Sequence, residues 1–177
     1  YSLCSIDVDK EKGTFGNRID TLIDDEKMKK SISFPRPSYD GKYIMFTLSD
    51  YGNFSIWHKE ADLWLLNLQD GSLRTIHEVN SDNTESFHNW SSNSHWFVFS
   101  SRREDGLYTR LYLACINKEG KVSKPFLLPQ KNPMNYYDKL LYSYNVPEFT
   151  NSPVKIEPRK LEREIVSNKR VQVEVRK

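Results

Sequence analysis

The chain has 177 residues, a formal net charge of +2 and a mean hydropathy of −0.71, with 37% apolar and 13% aromatic residues. Near-balanced charge argues against a dedicated nucleic-acid binder, which carries a one-sided basic surplus, and no apolar run approaches the length needed to cross a bilayer. A high aromatic share in so hydrophilic a chain is what short strands with aromatics on one face produce.

The first residues, "YSLCSIDVDKEKGTFGNRIDTLI", read as two strands around a turn near Gly13. The chain opens on Tyr1 inside a strand pattern, so the N-terminus is expected upstream and a targeting segment is not excluded. Four short strands follow, at about 31–35, 42–48, 61–68 and 72–77, punctuated by the turn pairs Asp40-Gly41 and Asp70-Gly71. Four more follow at about 84–88, 95–101, 108–117 and 121–127. No helical stripe is visible before residue 130.

The two sets superpose. At an offset of 53, Phe34 falls on Phe87, Pro37 on Trp90, Ser38 on Ser91, and Tyr43, Ile44, Met45 and Phe46 fall on Trp96, Phe97, Val98 and Phe99. A loop then differs by five residues, after which "DLWLLNLQDG" matches "RLYLACINKEG" at an offset of 48. The opening segment is the tail of a third copy, with Tyr1 set against Trp64 and Tyr112. Four strands in about fifty residues make one propeller blade, whose faces are buried by neighbouring blades. Continuous apolar runs such as Trp96–Phe99 suit strands covered on both sides.

The expected fold is therefore all-β: a partial β-propeller of about two and a half four-stranded blades. Residues 1–24 end one blade, 31–78 form a second and 84–128 a third. Cys4 and Cys115 form no CxxC or metal-spaced set. On this superposition they occupy equivalent places two blades apart, beyond the roughly 7 Å that a disulfide spans, so both are expected as free thiols.

The pattern Ser-x-Asp-Gly-Lys-x-Ile-x-Phe, a polar loop, then Asp-Leu-Trp and a Gly turn stands here as "SYDGKYIMFTLS" and "ADLWLLNLQDG". It resembles the TolB-like propeller repeat. "SSNSHWFVFSSRREDGLYTRLYL" is similar, with Asn93-Ser94 where Asp-Gly is usual. The resemblance covers residues 1 to about 128. It implies a six- to eight-bladed ring in a periplasmic or outer-membrane-associated protein of Gram-negative bacteria. Two and a half blades do not close a ring, so a C-terminal fragment of a longer propeller is expected, with self-association through exposed blade edges as the other outcome.

Residues 129–177 break the repeat. Five prolines and a Tyr-rich run in 129–158 predict an ordered, irregular segment over the propeller, with a turn or two of helix in 135–143 and Tyr136, Tyr137, Tyr142 and Tyr144 packed on blade edges. "KLEREIV" reads as helix or strand. In "RVQVEVR", Val171, Val173 and Val175 alternate with polar residues, the pattern of a half-buried strand, which either closes the ring or links onward to a further domain.

No Gly-x-Ser-x-Gly elbow, phosphate-cradling glycine loop or His-Glu-x-x-His is present. Of the four histidines, His95 is expected to pack or bond locally in its strand and His77 to be exposed. His58 belongs to the loops on one propeller face, 24–30, 49–60, 78–86 and 102–109, and His88 is expected near the entry side of the inner strand, close to the central channel. There Arg36, His88 and Asn89 are expected to meet Tyr51, Trp57, His58, Glu60, Arg102, Arg103 and Asp105 in a recognition rim of aromatics, carboxylates and arginines. The same residue types also cap turns and form ion pairs between blades. No cofactor or metal is assigned. The function read from these features is a non-catalytic binding scaffold of the cell envelope, taking a protein segment or a glycan. The alternative is the propeller part of an envelope hydrolase or metal-dependent polysaccharide lyase with site residues outside this chain.

Overall fold

Two four-stranded antiparallel meanders, stacked face to face, form the body of the protein. The computed structural model describes residues 1–167 and 170. A hairpin of β1 (Leu3–Asp9) and β2 (Thr14–Ile23) comes first, followed by α1 (Asp25–Met28), a single turn capped by the Asp24 carboxylate, which accepts from the Glu26 amide. The first whole sheet runs in order through β3 (Ser31–Pro37), β4 (Tyr43–Ser49), β5 (Asp62–Asn67) and β6 (Leu73–Thr75). The second runs through β7 (Glu85–Trp90), β8 (Trp96–Ser101), β9 (Arg110–Cys115) and β10 (Phe126–Leu127). Consecutive antiparallel strands, short turns and stacked repeated sheets are the all-β, partial-propeller architecture. α2 (Pro133–Asp138) and α3 (Pro158–Val166) follow.

The repeat extends to backbone outliers. Phe34 and Phe87, related by the 53-residue offset, both adopt φ of 50°. At each the strand register slips by one residue, from Ser33↔Thr47 to Arg36↔Met45 and from Ser86↔Ser100 to Asn89↔Val98. A left-handed Phe is strained, and a β-bulge is the place that demands it. The two rings meet edge to face, centroids 4.7 Å apart. In the second blade Ser94 (φ 59°) holds the place of Gly41 (φ 70°), and its hydroxyl accepts from the Asp40 amide at 2.9 Å, so the two turns lock together.

The core lies between the meanders. Phe97 and Phe99 of β8 and Tyr112 and Ala114 of β9 pack with Met45, Leu63 and Leu65 of the first blade. Each fully buried Phe contributes roughly 1.5–3 kcal/mol of transfer energy. Along β7 the seam turns polar. The His88 Nε2–H donates to the Met45 carbonyl at 2.9 Å, the Trp90 indole N–H to the Arg36 carbonyl at 3.0 Å, and Ser86 bonds both Thr47 and Ser55. His88 and Trp90 thus meet backbone carbonyls of the first blade, and Ser86 meets two of its hydroxyls.

Several expectations change. Tyr1 is not the counterpart of Trp64. The Ile32 amide donates to the Tyr1 carbonyl as the Glu85 amide donates to that of Ala61, so the repeat equates Tyr1 with Ala61 and shifts the superposition by three residues. Cys4 then corresponds to Trp64 and Tyr112 instead of Cys115; both cysteines are free thiols. α1 is a helical turn before residue 130, made by a capping Asp and two acidic residues at its start. β10 has two residues because beyond the bridge Ile116↔Val122 the strand pairs only at Phe126 and Leu127. His95 stands in the turn before β8, not in the strand; it is exposed and bonds locally, its Nδ1 3.3 Å from the Ile116 carbonyl oxygen. Residues 158–166 form a helix, started by Pro158 in its first turn. The expected strand at Val171, Val173 and Val175 lies outside the described residues. Of the four tyrosines, Tyr137 packs, buried with its hydroxyl on the Leu128 carbonyl at 2.6 Å, whereas Tyr136, Tyr142 and Tyr144 bring their hydroxyls together. No described helix is long and apolar enough to cross a membrane.

Candidate functional site

The loop from β4 to β5, residues 50–61, is pinned at its base and bare at its tip. A 3-10 turn at Ser55–Trp57 buries Ser55 and Ile56, and Ala61 is fully buried. The Ser55 hydroxyl meets that of Ser86 at 2.7 Å, the Thr84 hydroxyl donates to the His58 carbonyl at 2.7 Å, and the Ser31 hydroxyl donates to the Gly52 carbonyl. Gly52 (φ 63°) and Phe54 (φ 56°) bend the backbone through left-handed conformations, which glycine adopts freely and phenylalanine does not. The result turns three aromatics to solvent: Tyr51 is 71% exposed, Phe54 66% and Trp57 72%.

Polar groups frame these rings. The Tyr51 ring lies 4.5 Å from that of His58, and His58 Nδ1 is 3.3 Å from a Glu60 carboxylate oxygen that also accepts from the Asp50 amide. The Arg102 guanidinium, from the loop after β8, stands 4.3 Å over Trp57, and its Nε is buried without a partner. Burial pushes its pKa down, with Asp105 opposing. A polar cleft of about 620 Å³ adjoins Glu60, lined by Lys30, Lys59, Asp62, Ser81 and Asp82. Burial raises the Asp62 carboxyl, against the pull of His77 and Lys30.

Of the ten residues expected on the rim, the fold brings together Tyr51, Trp57, His58, Glu60 and Arg102. His88 is buried in the seam, and its pKa falls to about 4 because burial disfavours the imidazolium. Arg103 turns inward. It stacks 4.3 Å over Tyr112 and donates to the Val79 carbonyl at 2.6 Å and to the fully buried Glu85 at 3.1 Å. Glu85 also accepts from the hydroxyls of Ser81 (2.7 Å) and Ser101 (2.6 Å). Burial raises the Glu85 pKa, with the two serines and Arg103 opposing. Asp105 caps its own turn, accepting from the amides of Leu107 and Tyr108 at 2.8 Å and pairing with Arg110. Arg36 is half-buried and lends the seam its carbonyl. Asn89 bonds Pro147 and Glu148. Phe54 was missed, although a lone Phe among Gly, Asn and Ser is itself a signal of an exposed ring.

No family model matches the chain, and no curated protein matches it. Among solved structures the chain is similar to TolB from Acinetobacter baumannii, with 16% identity and a TM-score of 0.40. That match spans 62% of this chain and 24% of the TolB chain.

Among the described residues no three His, Cys, Asp or Glu side chains are grouped to hold a metal. The arrangement at the loop tip offers flat apolar faces edged by an arginine, a histidine and a carboxylate. That suits non-covalent recognition.

Proposed function

We propose that this chain is a non-catalytic binding module whose recognition surface is the 50–60 loop with Arg102, and whose ligand is a protein segment. One observation carries the reading: three aromatics stay largely exposed on a loop whose base is fixed by hydrogen bonds. Unsupported exposure of that kind opposes the hydrophobic effect, and rigidly held aromatics lose little entropy when a partner covers them. Trp, Tyr and Arg are also the residue types that dominate interface energetics. The repeat resemblance adds a cell-envelope setting, checked by fractionation.

The test is capture from envelope extracts by the immobilised chain, with Trp57→Ala and Arg102→Ala as comparison baits. A protein band lost with Trp57→Ala is expected. Bands unchanged by both substitutions overturn the loop as the site. Retention on acidic glycan but not on protein moves the reading to a glycan ligand.

A further inference from the structure

Arg102 holds an unanswered charge at the edge of the loop surface. Its backbone is fixed: its amide donates to the Thr84 carbonyl at 3.1 Å, and its carbonyl accepts from the Gly106 amide at 2.8 Å. Its guanidinium stands 4.3 Å from the centre of the Trp57 ring and, among the described residues, makes no hydrogen bond or ion pair. The next residue shows the contrast. Arg103 spends its guanidinium on Ser101, the Val79 carbonyl and Glu85.

The carboxylates nearest the loop tip are engaged. Asp105 accepts from two amides and pairs with Arg110, Glu60 meets His58, and Asp50 meets Lys30. Residues 51–59 contain no acid. Asp62 and Asp82 line the cleft beside Glu60, where Lys30 and Lys59 stand with them. That cleft holds both signs, so the cation left unmatched is the one over Trp57.

Stacking on an indole holds a guanidinium flat and leaves its edge to bond a ligand. The Nε of Arg102 is buried, which leaves the two terminal nitrogens as donors. A planar fork of that kind fits the two oxygens of a carboxylate. Phosphorylated segments are instead gripped by clusters of arginines, and Arg102 stands alone over the ring. Trp57 remains 72% exposed with Arg102 beside it, so the ring has area left for an apolar side chain.

We infer that the segment bound by this loop is acidic: an Asp or Glu carboxylate bridges the terminal nitrogens of Arg102 while an apolar side chain two residues away covers Trp57. Residues two apart in an extended segment face the same way, so one short stretch supplies both groups. The inference rests on the loop reading and adds to it the chemistry of the ligand.

The experiment titrates the isotope-labelled 177-residue chain with the peptide acetyl-GLSEG-amide and, separately, with acetyl-GLSQG-amide. The indole N–H signal of Trp57, assigned by its loss in Trp57→Phe, reports binding. The acidic peptide is expected to bind about five-fold more tightly, the range of an exposed ion pair, and salt at about 1 M to remove the difference. Arg102→Gln is expected to bring the two peptides to one affinity, while the indole signals of Trp64, Trp90 and Trp96 stay in place and report an intact fold. Equal affinities for the unaltered chain overturn the acidic ligand and leave the loop as the site. An acidic preference that survives Arg102→Gln overturns the pairing with Arg102, as does sodium phosphate moving the Trp57 signal as strongly as the acidic peptide. A signal that neither peptide moves also overturns the inference, and capture from envelope extracts then judges the loop on its own.

Discussion

The loop after the second strand differs between the two blades, and the difference separates a structural role from the proposed recognition role. In the second blade, residues 102–109, Arg103 reaches down to the buried Glu85 and Asp105 caps its own turn. In the first blade the corresponding loop is five residues longer, and the added length carries Tyr51, Phe54 and Trp57 into solvent. The shorter loop sends Arg103 into the core and sets Arg102 over Trp57, whereas the longer loop turns all three of its rings outward. The comparison shows that residue type does not mark a site: an arginine serves as anchor at position 103 and as edge of an aromatic surface at position 102.

The largest effect is expected from breaking the anchor. Arg103→Ala leaves the Glu85 carboxylate buried and unpaired, a loss of about 3–5 kcal/mol, read as a shift of the urea midpoint. Adding Glu85→Leu in the same chain recovers part of it; no recovery separates Arg103 from Glu85. Next comes the seam beneath the loops. Burial holds the His88 pKa at about 4 in the folded chain, below the ordinary imidazole value of 6.5. The unfolded chain therefore binds the extra proton as pH falls through that window. Stability is full above about pH 6.5 and declines toward pH 4, by roughly 3 kcal/mol. His88→Gln, which keeps a donor for the Met45 carbonyl, is expected to flatten that decline in denaturation curves taken across the window. The smallest effect on stability is expected at the exposed loop: Trp57→Ala stays within about 0.5 kcal/mol while abolishing ligand capture. A large loss of stability there makes the loop an anchor like its counterpart and erases the contrast.

Much of the fold was legible in the residues. Tyr43–Phe46 and Trp96–Phe99 are recognisable sister segments because strands covered on both faces need unbroken apolar runs, and Asp40-Gly41 marks the turn before the first of them. The docking of residues 143–145 on the second blade was not legible. It rests on the Tyr144 amide donating to the Thr109 carbonyl and on Ser100 bonding the Asn145 carbonyl, backbone contacts that leave little trace in side-chain type. The rim was legible in part. Tyr51, Trp57, His58, Glu60 and Arg102 converge because two loops emerge at one end of adjacent sheets. His88 was misplaced because the bulge at Phe87 carries the residues after it onto a different register.

The amino-acid sequence determined the repeat, the strand identities, the turns and the balance of charge, because hydrophobic periodicity and glycine placement act within a few residues. Only the tertiary structure decided which of the equivalent positions became interior. Leu63 in β5 is fully buried, whereas Ile6, Val8, Phe15 and Ile19 of the β1–β2 hairpin are exposed. Burial is set by the sheet stacked against a strand, and among the described residues no sheet covers Ile6, Val8, Phe15 or Ile19.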